Sequence, residues 1–496
     1  MPNSMEKITT FRQSFVDSRG RERIFNGVNI PDKGDDRADR SAFVHACDDA
    51  FLDKMQSLGF NLIRLGMTWE TIEPEKGSFN LPYLESVKAI LDRCAEREIY
   101  VFLDMHQDLY ASFGRGIGDG APKWACLSDG RLPRPAKFVW AEGYFWGKAV
   151  HKAFDNFWAN TKIDEGGGVL DYFARMWQFV AGMFKDHPAL FGFDILNEPF
   201  PGTDGGRVFK KIIFNLVRVT LFSGSISRSK LVSDLIHKDR RMYFLDHYTG
   251  EVLRLVTSAA DELIYRFDTQ KYSPFINKIS KAIREKTDNG ILLMENSYYS
   301  NLGIPYSAPA IHYDGEREEK IAFAPHAYDF MVDTDLYKYA NNDRVGSIFA
   351  EHRRSQQRLD VPVIVGEWGG GGSGNGWFPH VMFLLDLFDR NKWSQTYWAY
   401  TEGFLESELM GVLSRPYPQA VTGTISRYAF DRGNKVFTLV YEQAREFACD
   451  TVIYLPSIPK AVEASGTHTI EKGMDGATGL LRVKSPVGKN KIKVWF

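Results

Sequence analysis

Cysteine is scarce. The 496 residues hold four, Cys47, Cys94, Cys126 and Cys449, far apart and without a CxxC pair. That spacing argues against a zinc ribbon or a disulfide scaffold and fits reduced thiols in a cytosolic enzyme. An excess of one charge is missing too. Lys and Arg number 61 against 63 Asp and Glu, a net charge of −2, so no whole-chain attraction for nucleic acid is expected. No run reaches the ~18 uninterrupted apolar residues that a membrane span needs. The N-terminal MPNSMEKITTFRQSFVDSRGRER has no apolar h-region. No secretory signal is read there, and an intracellular, cytoplasmic location is expected, with export by another route left open. Internal repeats and low-complexity tracts are absent, which argues against a solenoid or a disordered tail.

Aromatic residues are plentiful: 36 Phe, 22 Tyr and 11 Trp. Most belong in a core, but flat rings also suit the apolar C–H face of a pyranose. Short apolar runs recur and predict strands over 24–30, 60–69, 99–106, 190–199, 291–297, 321–328, 361–369 and 394–403. Amphipathic segments between them predict helices over 43–58, 81–97, 168–185, 335–358 and 378–391. Strands alternating with helices imply a parallel sheet, and eight such units imply an α/β fold of the (β/α)8 TIM-barrel class, with its chemistry at the C-terminal strand ends. After Gly403 the pattern turns to short strands separated by turn residues such as Asp431-Arg432-Gly433-Asn434, which predicts a small β-sandwich. The expected division is a barrel over 1–405 and a sandwich over 406–496.

Roughly ninety residues separate the strand ending at Pro199 from the strand beginning at Ile291, so the barrel carries a long insertion near 203–257. Within it, Phe209, Ile212, Ile213, Leu216 and Val217 recur at helical spacing, interrupted by Lys210, Lys211 and Arg218. Two readings stand: a loop helix packed on the barrel, or a basic amphipathic element that touches a lipid surface or lipid substrate.

Two apolar runs stop at a carboxylate. LFGFDILNEP ends in Asn197-Glu198-Pro199, and VPVIVGEWG ends in Glu367-Trp368-Gly369. As the ends of strands four and seven they lie on opposite sides of a barrel mouth and can face each other across it. Facing carboxylates suit glycoside hydrolysis: one donates a proton to the leaving oxygen, and the other attacks or supports the anomeric carbon. Arg64, read at the end of strand two, is a candidate to keep Glu367 ionised. His106 and Asp108 follow strand three, His326 and Tyr328 end strand six, and Trp398 lies in strand eight. Asn197 is placed to bond a sugar 2-hydroxyl, Tyr328 to hold Glu367, and Trp398 to form a floor under the reacting ring. Glu295, near the end of strand five, is a third carboxylate, read as a catalyst look-alike or a substrate ligand. Two carboxylates supply both functions of the reaction, so no metal or organic cofactor is expected.

In order and strand position, NEP, GEW, Arg64, His106, His326, Tyr328 and Trp398 resemble the retaining family-5 glycoside hydrolases. The resemblance implies Glu198 as acid/base and Glu367 as nucleophile. DMHQDLY, GDGAPKWACLSDG, FDILNEPFPGT and FAPHAYD, with SRPYPQAVTGT opening the second domain, are similar to endoglycoceramidases and their glycosylceramidase relatives. That narrower resemblance implies cleavage between a glycan and ceramide. It also implies that Lys33, His106, Asp108 and Asn197 contact the innermost glucose, and that an apolar groove holds the lipid. The expected partners are a glycosphingolipid and, transiently, a membrane or micelle surface; a monomer is expected. Residues 208–257 match no string of that family. Two other readings are weighed: a β-glucosidase or endoglucanase acting on soluble glucans, and a non-catalytic carbohydrate- or lipid-binding protein on the same fold.

Overall fold

The computed structural model describes residues 5–32, 47–114, 117–137, 139–332, 337–370 and 374–496. Eight parallel strands form the barrel: Asn26–Pro31, Leu62–Met67, Tyr100–Met105, Leu190–Asp194, Ile291–Met294, Ile321–Phe323, Ile364–Val365 and Ser394–Tyr397. They are barrel strands one to eight. Strands one to five each pair with the next, seven pairs with eight, and eight pairs back to one. Bridges between Phe323 and Val363 and between His326 and Glu367 join strand six to strand seven. Barrel strands are covered on both sides, by the interior and by the outer helices. Their sequences are therefore nearly continuous apolar runs, and all eight are legible in the chain.

Helix starts are set by capping. Asp48 accepts from the Phe51 amide ahead of Asp49–Ser57, and Asn80 accepts from the Tyr83 amide ahead of Leu81–Glu96. The helix expected over 335–358 begins at Asn342, because Asn341 caps the amides of Asp343 and Arg344. Between strands four and five the chain is helical: Thr203–Phe222, Arg228–Ile236, Gly250–Thr257, Asp261–Phe267 and Ser273–Arg284. Among the described residues no helix is long and apolar enough to cross a membrane.

The C-terminal domain is an antiparallel sandwich. A four-stranded sheet faces a seven-stranded one, and Tyr417, Phe437, Leu439, Tyr441, Ile453, Leu481 and Ile492 fill the space between them. Three of the seven strands come from the other end of the chain: Ile8–Phe11, Ser14–Asp17 and Glu22–Arg23. Glu22 and Arg23 pair with Val421 and Ala420. The division at 405 read from the sequence takes no account of this pairing. The two domains also meet through tyrosines. Tyr417 donates to the Gly59 carbonyl at 2.7 Å and Tyr454 to the Ser57 carbonyl at 2.8 Å.

Candidate active site

Arg64 organises the floor of the barrel mouth. It sits on strand two, fully buried, and its planar fork reaches six groups. Nε donates to Asp194 at 2.8 Å, Nη1 to Asn29 at 3.0 Å and to Glu367 at 2.7 Å, and Nη2 to Asn197 at 2.8 Å and to Glu295 at 2.7 Å. Asp104 lies 3.0 Å from Nη2. One guanidinium cannot balance four ionised carboxylates in a site closed to water. Burial pushes the carboxyls of Asp194 and Glu295 up, so this acidic cluster resists carrying its full negative charge around Arg64.

Glu367 receives two donors. Arg64 holds one carboxylate oxygen, and the Tyr328 hydroxyl donates to the other at 3.0 Å. Together they fix its orientation, with a donor on each carboxylate oxygen. Glu198 is held differently. Asn301 Nδ2 donates to its Oε1 at 2.6 Å, and Nδ1 of His326 lies 3.2 Å from the same atom. Burial drives the His326 imidazole down to about 3, so it stands between the two carboxylates as a neutral ring. Its neighbour His352, whose Nε2 meets the His326 carbonyl at 3.1 Å, is pushed down to about 3 in the same way. A carboxylate oxygen of Glu198, a carboxylate oxygen of Glu367 and a ring nitrogen of His326 all lie within 4.8 Å of one another.

The backbone of Glu198 is in the left-handed region, with φ 43°. A non-glycine residue there costs of order 1–2 kcal/mol. The Glu198 amide donates to Glu295 at 2.7 Å, and the Glu295 amide in turn donates to the Tyr272 hydroxyl at 3.1 Å. Glu295 is therefore a support beneath Glu198, buried and absent from the cavity lining. This corrects its reading as a substrate ligand.

The other residues singled out in the sequence fall around one opening, except that His326, expected to touch substrate, and Arg64 lie behind it, buried and absent from the cavity lining. His106 bonds Asp104 at 2.8 Å, lies 3.7 Å from Asp108, and is stacked 5.4 Å from Trp398. Asn197 spends its oxygen on Arg64, while its nitrogen donates to the Gln107 carbonyl at 3.1 Å. His106, Asp108, Asn197, Glu198, Tyr328, Glu367 and Trp398 all line one cavity of about 620 Å³. Lys33 lies outside the described residues. Asn301, Asp32, Glu70 and Asp119 join the site without having been picked out. Asn301 sits in a short 3-10 helix, Tyr298–Leu302, with no motif, but Asp104 was findable, since it lies two residues before His106 at the end of strand three.

The cavity has two kinds of wall. Strands one to three and their loops supply Asp32, Thr68, Glu70, His106, Asp108 and Asp119. The segments that follow strands four and five supply Phe209, Ile212, Tyr298, Tyr299 and Leu302, joined by Val139, Trp140 and Phe145 from the long loop after strand three.

Comparison with known proteins agrees with this geometry. Endoglycoceramidase of Hydra vulgaris is 26% identical over 467 residues, covering 86% of this chain and 76% of that protein. Endoglycoceramidase I of Rhodococcus hoagii is 30% identical over 444 residues, covering 85% and 74%. The structure of endo-glycoceramidase II from Rhodococcus sp. in complex with ganglioside GM3 superposes with a TM-score of 0.73 over 98% of this chain and 99% of that one, at 22% identity, a likeness of fold. The family described as cellulase (glycosyl hydrolase family 5) matches residues 16–403, and the glycoside hydrolase family 5 C-terminal domain matches residues 415–494. The chain belongs to glycoside hydrolase family 5 and is a glycosidase.

Proposed function

We propose that the enzyme hydrolyses the β-glycosidic bond between a sugar and ceramide in glycosphingolipids, with retention of anomeric configuration. The observation that carries this reading is the unequal lining of the cavity. The polar wall offers carboxylates and His106 to sugar hydroxyls, and Trp398 offers a ring to the pyranose face. The other wall, built largely from segments that follow Glu198, is mostly apolar and suits an aliphatic leaving group. A cleft for soluble glucan would be open and aromatic on both sides of the carboxylates. The relatives named endoglycoceramidase support the same substrate class.

Glu367, oriented by Arg64 and Tyr328, attacks the anomeric carbon, while Glu198 gives its proton to the departing ceramide oxygen. The glycosyl–enzyme ester at Glu367 is then cleaved by water that Glu198 deprotonates. A carboxylate oxygen of each residue lies within 4.8 Å of the other, which supports retention, since an inverting pair stands farther apart to admit a water. His326, neutral and beside both carboxylates, lets the proton on Glu198 change without placing a fixed charge next to it.

Incubation with glucosylceramide, galactosylceramide, lactosylceramide and a ganglioside in detergent, with the released sugar identified by mass, tests the substrate. Hydrolysis of carboxymethylcellulose with no release from any of the lipids would overturn it. Glu367→Gln lowers turnover by at least ~10³-fold with the fold intact. Glu198→Ala is rescued by azide on an aryl glycoside with a good leaving group, giving a β-glycosyl azide. An α-azide product would place Glu198 on the nucleophile's face of the sugar and overturn the assignment of roles.

A further inference from the structure

The insertion helix Thr203–Phe222 has two apolar faces. One turns inward: Val208, Ile212 and Val219 are buried, and Phe209 and Ile212 line the cavity. The other turns to solvent. Ile213, Phe214, Val217, Leu221 and Phe222 are exposed, Phe214 by 75% and Phe222 by 77%. The helix that follows it, Arg228–Ile236, exposes Val232, Leu235 and Ile236. A surface helix ordinarily turns charge outward, so this row of large apolar side chains asks for a partner.

From the row of exposed side chains we infer that the outer face of this insertion is a docking surface for an anionic lipid bilayer, seated beside the cavity mouth. The inference rests on the lipid-linked substrate proposed above. Charge supports it. Between 203 and 236 stand Arg207, Lys210, Lys211, Arg218, Arg228 and Lys230 against Asp204 and Asp234. Asp234 is buried against His247, and Asp204 is paired with Arg207. The charge that remains toward solvent is positive, from Lys210, Lys211, Arg218, Arg228 and Lys230, all on exposed residues. Apolar side chains ringed by Lys and Arg are the composition of helices that lie in the headgroup region of anionic membranes.

Continuity with the site supports it too. Phe209 stacks on Phe145 at 4.4 Å and meets the exposed Trp146 at 5.7 Å. Trp140 and Phe330, also exposed, line the same cavity. Phe209 thus links the exposed Trp146 to the cavity that holds Glu198.

The test uses the full chain, vesicles of phosphatidylcholine with and without phosphatidylserine, and two double variants, F214D/F222D and K210E/K211E. None of these four residues lines the cavity, and unchanged melting temperatures show that the variants fold. The wild type floats with the phosphatidylserine vesicles and is released by salt. F214D/F222D partitions at least about tenfold less, and its rate on a glycolipid held in vesicles falls by a similar factor. Its rate on a soluble aryl β-glucoside does not change. K210E/K211E loses only the preference for phosphatidylserine. Equal flotation of F214D/F222D and wild type overturns the proposal. So does a wild-type dimer that F214D/F222D converts to monomer in sedimentation velocity, which makes the face a contact between copies of this chain. Flotation that F214D/F222D abolishes, with no sugar released from any micellar glycolipid, keeps the surface and removes the substrate reading. Micellar hydrolysis without flotation does the reverse.

Discussion

Glu198 shows how one residue depends on another that no substrate touches. Its left-handed backbone is pinned through a single amide hydrogen bond to Glu295, whose other oxygen faces Arg64. Both neighbours are donors, so both carboxyl oxygens must accept. A glutamine can offer only one accepting oxygen, and its NH2 confronts the other donor. Glu295→Gln is therefore expected to lower kcat about 10–100-fold with KM little changed, since a lost buried hydrogen bond costs ~1–3 kcal/mol. Steady-state kinetics together with a far-UV spectrum checks this; an unaltered kcat would show that the amide needs no anchor. The sequence shows Glu295 at a strand end but not whether its side chain points up into the mouth or down into the floor, a choice made by packing around Arg64. Asp268 is a second buried acid, outside the site. Burial pushes it up to about 8 from an ordinary 3.8. The folded state holds a proton between those values that the unfolded state has released, so this group's contribution to stability declines as pH rises through that window. In Asp268→Asn the melting temperature should fall less between pH 5 and pH 8 than in the wild type, measured by calorimetry.

Elements were legible where burial imposed a pattern and hidden where it did not. The barrel strands stand out because both faces are covered. The strands over 8–23 do not, since ITTF, SFVD and ER are short and half polar and gain their place only by pairing with a sheet about 400 residues away. The insertion was legible as a helix from its spacing. Its doubly apolar surface was not, because the sequence cannot say which face the barrel takes. Capping is readable and has a consequence for the site. Asn341 caps the helix Asn342–Leu359, and Arg344 in its first turn clamps Asp329, next to Tyr328, through bonds of 2.7 and 3.1 Å. Asn341→Ala should lower unfolding free energy by ~1 kcal/mol while kcat/KM stays within about twofold, because the Arg344–Asp329 clamp remains. Urea denaturation and kinetics on one preparation check both halves.

At the scale of the molecule, two features set stability. His326 and His352 are buried as neutral rings with values near 3, whereas an unfolded histidine takes its proton near 6.5. Between those values the unfolded chain binds more protons, so stability falls as pH drops through that range. A melting temperature lower at pH 4.5 than at pH 6.5, with a smaller drop in His352→Gln, is expected. The second feature is the seam between domains, where Tyr417 and Tyr454 hold the carbonyls of Gly59 and Ser57. Gly59 has φ 83°, and a Cβ there would sit 2.5 Å from the Tyr454 ring. Gly59→Val should split a single calorimetric transition into two as the sandwich detaches. The shared sheet, finally, bears on how the protein is made. A ribosome delivers the Ile8–Arg23 strands on the order of 20–80 s before their partner at Tyr417–Val421, at ~5–20 residues per second. Until then the opening segment waits as an unpaired β-edge, an invitation to chaperones and to strands of neighbouring nascent chains.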